Sequence, residues 1–185
     1  MDGALYKKWY DFMVIKEKLV AVDFWDKKSV LQHYAQHYAK ASPPDFKHLF
    51  DIHKIIKHIG DKFDNGLEIY FNTQVGLGKG LEPHESIAHW HRSDWYSIDN
   101  NKKLFSKNKI YICGMHLGLC IDQFYKDIIE GRNEIQGAEP FIILNASVVP
   151  PWKNINEVVN FDKFRYVWYN YQDNSMTRIK NMFWE

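Results

Sequence analysis

Residues 109–130, KIYICGMHLGLCIDQFYKDIIE, decide how the chain is read. Lys109 to Met115 is a short apolar run carrying Ile110, Tyr111 and Ile112, side chains that favour a buried strand over a helix. Gly114 and Gly118 bracket a tight turn, and Gly118 to Glu130 reads as a helix. A strand that turns through glycine into a helix has the outline of the elbow that displays a nucleophile in α/β-hydrolases. The middle residue here is His116, where that elbow carries Ser, Cys or Asp, so the better reading is a turn needing glycine for backbone clearance.

Upstream of this stretch the chain reads as helical. Leu5, Trp9, Phe12, Met13 and Ile15 recur at helical spacing, and the pattern breaks near Ala21–Phe24. Asp26 or Ser29 is suited to cap a second helix carrying Val30, Leu31, Tyr34 and Tyr38. Ser42-Pro43-Pro44-Asp45 stops that helix, and a third runs from Phe46 through Ile59 to Gly60. Strand signals follow at Leu67–Phe71, within Ile87–Ile98, at Phe141–Leu144 and at Arg165–Tyr171. A short helix is expected around Asn156–Phe161, and a final helical turn or two at Thr177–Trp184. Helices first and strands later predict an α+β fold: about three N-terminal helices, then a mainly antiparallel sheet with one embedded helix. No repeat or linker divides the chain, so residues 1–185 are expected to form a single domain.

Composition narrows the function. Lys plus Arg number 24 against 23 Asp plus Glu, and a net charge of +1 lacks the positive field that broad nucleic-acid binding requires. Cys113 and Cys120 are too few for a disulfide framework. No apolar run is long enough to span a membrane, and Met1–Lys8 has no signal-peptide pattern, so a cytoplasmic location is expected. The unusual quantity is aromatic content, 16%, enough to fill a core and still leave rings near the surface, a feature of binding faces and of plain aromatic-rich cores alike.

The candidate chemistry centres on histidine. His33 and His37 share a helical face, but Tyr34 stands where a zinc protease carries Glu. On a strand His89 and His91 point the same way and make half a metal site, which His116, His84 or Glu85 would complete around a divalent ion such as zinc. Cys113, His116 and Cys120 have no known zinc-module spacing, and a Cys–His pairing requires His89 or His91 to approach one of the thiols. Gly76-Leu77-Gly78-Lys79-Gly80 follows a strand but lacks the Ser or Thr and the helix of a P-loop, and reads as a flexible turn.

Every motif test leaving a gap, the expectation is a binding module without a cofactor. Immunity proteins and antitoxins have this character. It would dock another protein through Trp90, Trp95, Tyr96, Tyr166, Trp168, Tyr169 and Tyr171. The alternative is a metal-dependent hydrolase or nuclease built on His89, His91 and His116, with the metal activating a water.

Overall fold

The computed structural model describes residues 17–37, 46–61, 68–70, 89–91, 108–130 and 137–181. The expected helix at Leu5–Ile15, the break at Ser42–Asp45 and the Gly76–Gly80 loop lie outside these residues. Within them the elements are β1 (Glu17–Val22), α1 (Lys27–His37), α2 (Phe46–Gly60), β2 (Glu68–Tyr70), β3 (His89–His91), β4 (Lys109–Met115), α3 (Cys120–Glu130), β5 (Glu139–Val148), α4 (Ile155–Val158), β6 (Tyr166–Asn170) and β7 (Ser175–Ile179).

The strands make one seven-stranded sheet in the order β3-β2-β1-β4-β5-β6-β7. Every neighbouring pair from β3 to β6 is parallel, and only β7 runs antiparallel, against β6. This corrects the α+β expectation. Helices and strands interleave, the chain enters the sheet at β1 in its middle, and the sheet is mostly parallel. The strand that overturns the expectation is β1. Leu19, Val20, Ala21 and Val22 are all buried because both faces of a parallel sheet are covered, so the run shows no alternation. The expected last helix at Thr177–Trp184 is also corrected: Ser175–Ile179 forms β7, paired to β6 from Asn170↔Ser175 to Tyr166↔Ile179.

Two cores follow from the two faces. On one, α1 and α2 lay Val30, Tyr34, Leu49, Ile52, Ile56 and Ile59 over Leu19, Ala21, Cys113, Met115 and Val167. On the other, Ile121, Phe124, Tyr125 and Ile128 of α3, with Val158 of α4, cover Val20, Val22, Ile110, Ile112 and Ile142. Of the two caps the sequence offers, Asp26 starts α1, its Oδ1 accepting from the Ser29 amide at 2.6 Å. Asn154 and Glu157 close a capping box on the short α4.

β5 is irregular. Its register with β4 moves from Ile112↔Ile142 to Gly114↔Ser147, so five residue steps of β5 face two of β4. Its backbone pairing with β6 ends at Ile143↔Val167. Beyond that point the Asn145 amide takes over the ladder: its Nδ2 donates to the Tyr169 carbonyl and its Oδ1 accepts from the Tyr169 N–H, both at 2.9 Å. Bulges of this kind re-aim a strand end, and they gather beside functional sites.

Candidate functional site at the carboxyl ends of β1 and β4

From β1 the chain builds outward to β3, then restarts at β4 on the other side of β1 and builds outward to β6. In an open sheet of this kind the connections leaving β1 and β4 diverge to opposite faces. The crevice they leave at the strands' carboxyl ends is where such folds bind ligands. Asp23 leaves β1 there; His116 leaves β4, and Cys120 opens α3 four residues later.

The register fixes their placement. Val22 pairs with Gly114, which sets Asp23 level with Met115, one residue before His116, on adjacent strands. Gly114 is required for this fit. It lies at φ 111°, and a Cβ on it would fall 2.1 Å from the Val22 carbonyl oxygen. Asp23 is itself buried and turns the chain in the left-handed region, φ 51°, a conformation Asp tolerates better than most side chains. A buried carboxyl group at a sheet's ligand-binding edge is a functional candidate.

The His116 backbone is clamped. Its carbonyl accepts from the Leu119 amide at 3.1 Å and the Ile121 amide at 3.3 Å, while the next residue, Leu117, donates to the Val148 carbonyl at 2.8 Å. The imidazole is buried, with Nε2 at 2.6 Å from the buried Tyr34 hydroxyl of α1. The ring of Trp152, which follows β5 and is 43% exposed, lies 6.1 Å from it. Gly118, at φ 77°, turns the chain into α3, and its amide donates to Asp122 Oδ1 at 2.8 Å.

The two cysteines differ. Cys113 is fully buried in mid-strand, its thiol donates to the Val20 carbonyl at 3.5 Å, and burial pushes its pKa far up. Cys120 is partly exposed and stands in the first turn of α3, where the helix dipole favours an anionic sulfur.

A dinucleotide site does not fit this edge. The turn after β1 is Asp23-Phe24-Trp25-Asp26, with no glycine to admit a pyrophosphate. The α1 N-terminus that would hold it is already capped by the Asp26 carboxylate.

The sequence-predicted residues fall in several places. The backbone of β3 places His89 and His91 at the sheet edge beside β2, with His91 in one rank with Tyr70, Val22 and Gly114. Three strand spacings, about 14 Å, therefore separate that position from β4, which leads to His116. Among the described residues no group of three or more His, Cys, Asp or Glu is placed to hold a metal ion. Trp95 and Tyr96 lie outside the described residues, and Trp90 is placed by its backbone in β3. Tyr166 and Tyr169 are core residues. The Tyr166 hydroxyl accepts from the Asn160 N–H and its pKa is pushed up to about 12 by burial, while the Tyr169 hydroxyl donates to Asn174 Oδ1 at 2.7 Å. Trp168 and Tyr171 are 40% and 48% exposed, so the described part of the expected docking face narrows to these two rings. Asp23, Tyr34 and Trp152 are the site residues that sequence reasoning missed. Asp23 was legible only through β1, because a carboxylate directly after a buried strand marks a carboxyl-end position.

No protein-family model matches the chain, nor does any curated protein or solved structure. Among the described residues no helix is long and apolar enough to cross a membrane.

Proposed function

We propose that the protein is a thiol hydrolase acting on a small carbonyl compound, an ester or amide, with Cys120 as nucleophile and Asp23 as its proton acceptor. The observation that supports this reading is the β1–β4 register, which sets the buried Asp23 level with Met115 on adjacent central strands, with the helix that opens at Cys120 following β4 by a short turn. An activated nucleophile needs a proton acceptor beside it, and the loss of either group removes the function.

In the first step the Cys120 sulfur bonds to the carbonyl carbon and its proton passes to Asp23. The bond from that carbon to oxygen or nitrogen breaks, and the leaving group takes the proton. Water then cleaves the thioester, releasing the acid and restoring the thiol. The acidic, aromatic turn at Asp23–Asp26 disfavours anionic ligands at this position, so a neutral substrate fits it best.

The test is acyl capture with p-nitrophenyl acetate. The wild-type protein is expected to release p-nitrophenol and to carry acetyl on the Cys120 peptide after acid quench, while Cys120→Ser carries none there. Acetyl found only on lysines, or an unchanged release rate in Cys120→Ser, contradicts the reading.

A further inference from the structure

We propose that Tyr34 is a positioning residue for the Cys120 site and that it acts by fixing the imidazole of His116 as the site's second proton-handling group. The inference rests on the thiol-hydrolase reading and adds a part that this reading does not require.

Three observations support it. First, the pair is buried and its bond is short. Tyr34 is 3% and His116 5% exposed, and the hydroxyl stands 2.6 Å from Nε2. Around them the core is apolar, with Val30, Met115 and Val148 in the same cluster. Two apolar side chains would fill this volume without the desolvation penalty that a phenol and an imidazole carry, so packing alone does not call for this pair. Second, the pair ties α1 to the end of β4, across the crevice that the switch of direction opens. Third, both the backbone and the ring of His116 are engaged. Its carbonyl takes two amides of the α3 start, its successor bonds to β5, Tyr34 meets its ring from α1, and Trp152 flanks the ring from the partly exposed side. Preorganisation of this degree is characteristic of groups that must meet a reacting partner in one orientation.

The chemistry follows from the bond. A neutral phenol donates to Nε2 and so places the imidazole proton on Nδ1; an imidazolium donates from Nε2 to the phenol oxygen. In both states the ring direction is the same. Proton transfer through His116 therefore becomes a property of the Tyr34–His116 unit rather than of the imidazole alone. Among the described residues the titratable groups carried by this edge include Asp23 and Asp26 after β1, Tyr34 on α1, Cys120 and Asp122 in the first turn of α3, and Lys153 beside Trp152.

The experiment is the pH dependence of the rate at which p-nitrophenyl acetate acetylates Cys120, read by peptide mass in the full-length wild type, Tyr34→Phe and His116→Gln. Tyr34→Phe keeps the ring and removes the hydroxyl. His116→Gln keeps a hydrogen-bonding partner for Tyr34 but does not titrate. The expected result is an inflection in the wild-type profile that is absent in His116→Gln and displaced by about half a pH unit or more in Tyr34→Phe. Should Tyr34→Phe fail to fold, His116→Gln alone decides: loss of the inflection supports the inference and its retention overturns it. Profiles of the same shape in all three proteins overturn the Tyr34–His116 role while leaving the Cys120 site intact. A wild type whose Cys120 takes no acetyl overturns the thiol reading, and this inference with it.

Discussion

Asp122 shares the first turn of α3 with Cys120 and is buried there. Burial raises its pKa above the ordinary 3.8, against the opposing pull of the Gly118 amide and of Lys126 and Lys153. A carboxyl group whose pKa is higher folded than unfolded binds more protons in the folded state, so stability falls as pH rises from the unfolded value through the folded one. Asn at this position keeps an oxygen for the Gly118 amide and does not ionise. Urea unfolding of wild type and Asp122→Asn at about pH 4 and pH 7 is therefore expected to show the wild type losing ground to the variant at the higher pH. A pH-independent difference would mean that the Asp122 carboxylate is as well solvated folded as unfolded. The contrast between Cys113 and Cys120 belongs to the same scale. One thiol is sealed in mid-strand and the other stands partly exposed at a helix start, though the sequence presents both simply as cysteines near glycine.

At the scale of elements, β5 is where the sheet adapts to the site. Its three additional residues break the ladder to β6, and Asn145 restores it by bonding both backbone groups of Tyr169 at 2.9 Å. Ser147 adds a bond from its hydroxyl to the Ile143 carbonyl at 2.7 Å. Past this irregularity, Val148 gives its carbonyl to Leu117 and the chain delivers Trp152 to His116. Asn145→Ala strands a donor and an acceptor of Tyr169 together, and the expected loss is about 2 kcal/mol in urea unfolding. A loss below about 0.5 kcal/mol would show that water or a shift of β6 replaces the amide. Helix positions were the part most open to reading. A cap for α1 at Asp26 or Ser29, Phe46–Gly60 as α2 and the helix after Gly118 all follow from local caps and spacing. So does β4, whose bounds, Lys109–Met115, match the apolar run.

At the scale of the whole molecule the legible part ends with β1. Local patterns identify a strand by alternation, and Leu19–Val22 has none because helices cover both sides of it. Without β1 the two helices that follow it appear to lead the chain, and segregated helices imply an antiparallel sheet. With β1 present the same helices become the connection between parallel strands, and the sheet acquires the central switch that defines the site. Strand direction is a consequence of where the intervening elements pack, which no single stretch of residues records. The same dependence hid the candidate site: Asp23 and Cys120 are 97 positions apart, and only the pairing of β1 with β4 sets the strand end before Asp23 beside the strand end that leads to the Cys120 helix. His89 and His91 drew attention in the sequence through their spacing alone, whereas His116 owes its place to the turn between Gly114 and Gly118.

The central claim is that Asp23 and Cys120 belong to one site, and it is tested most directly by the rate at which iodoacetamide alkylates Cys120 at neutral pH in wild type and Asp23→Asn, with Cys113 as the internal control. Cys120 is expected to be labelled in the native wild type while Cys113 is not, and Asp23→Asn is expected to slow Cys120 by about tenfold or more because the proton acceptor is gone. A Cys120 rate that is unchanged or faster in Asp23→Asn, in a protein whose Cys113 remains protected, would contradict it.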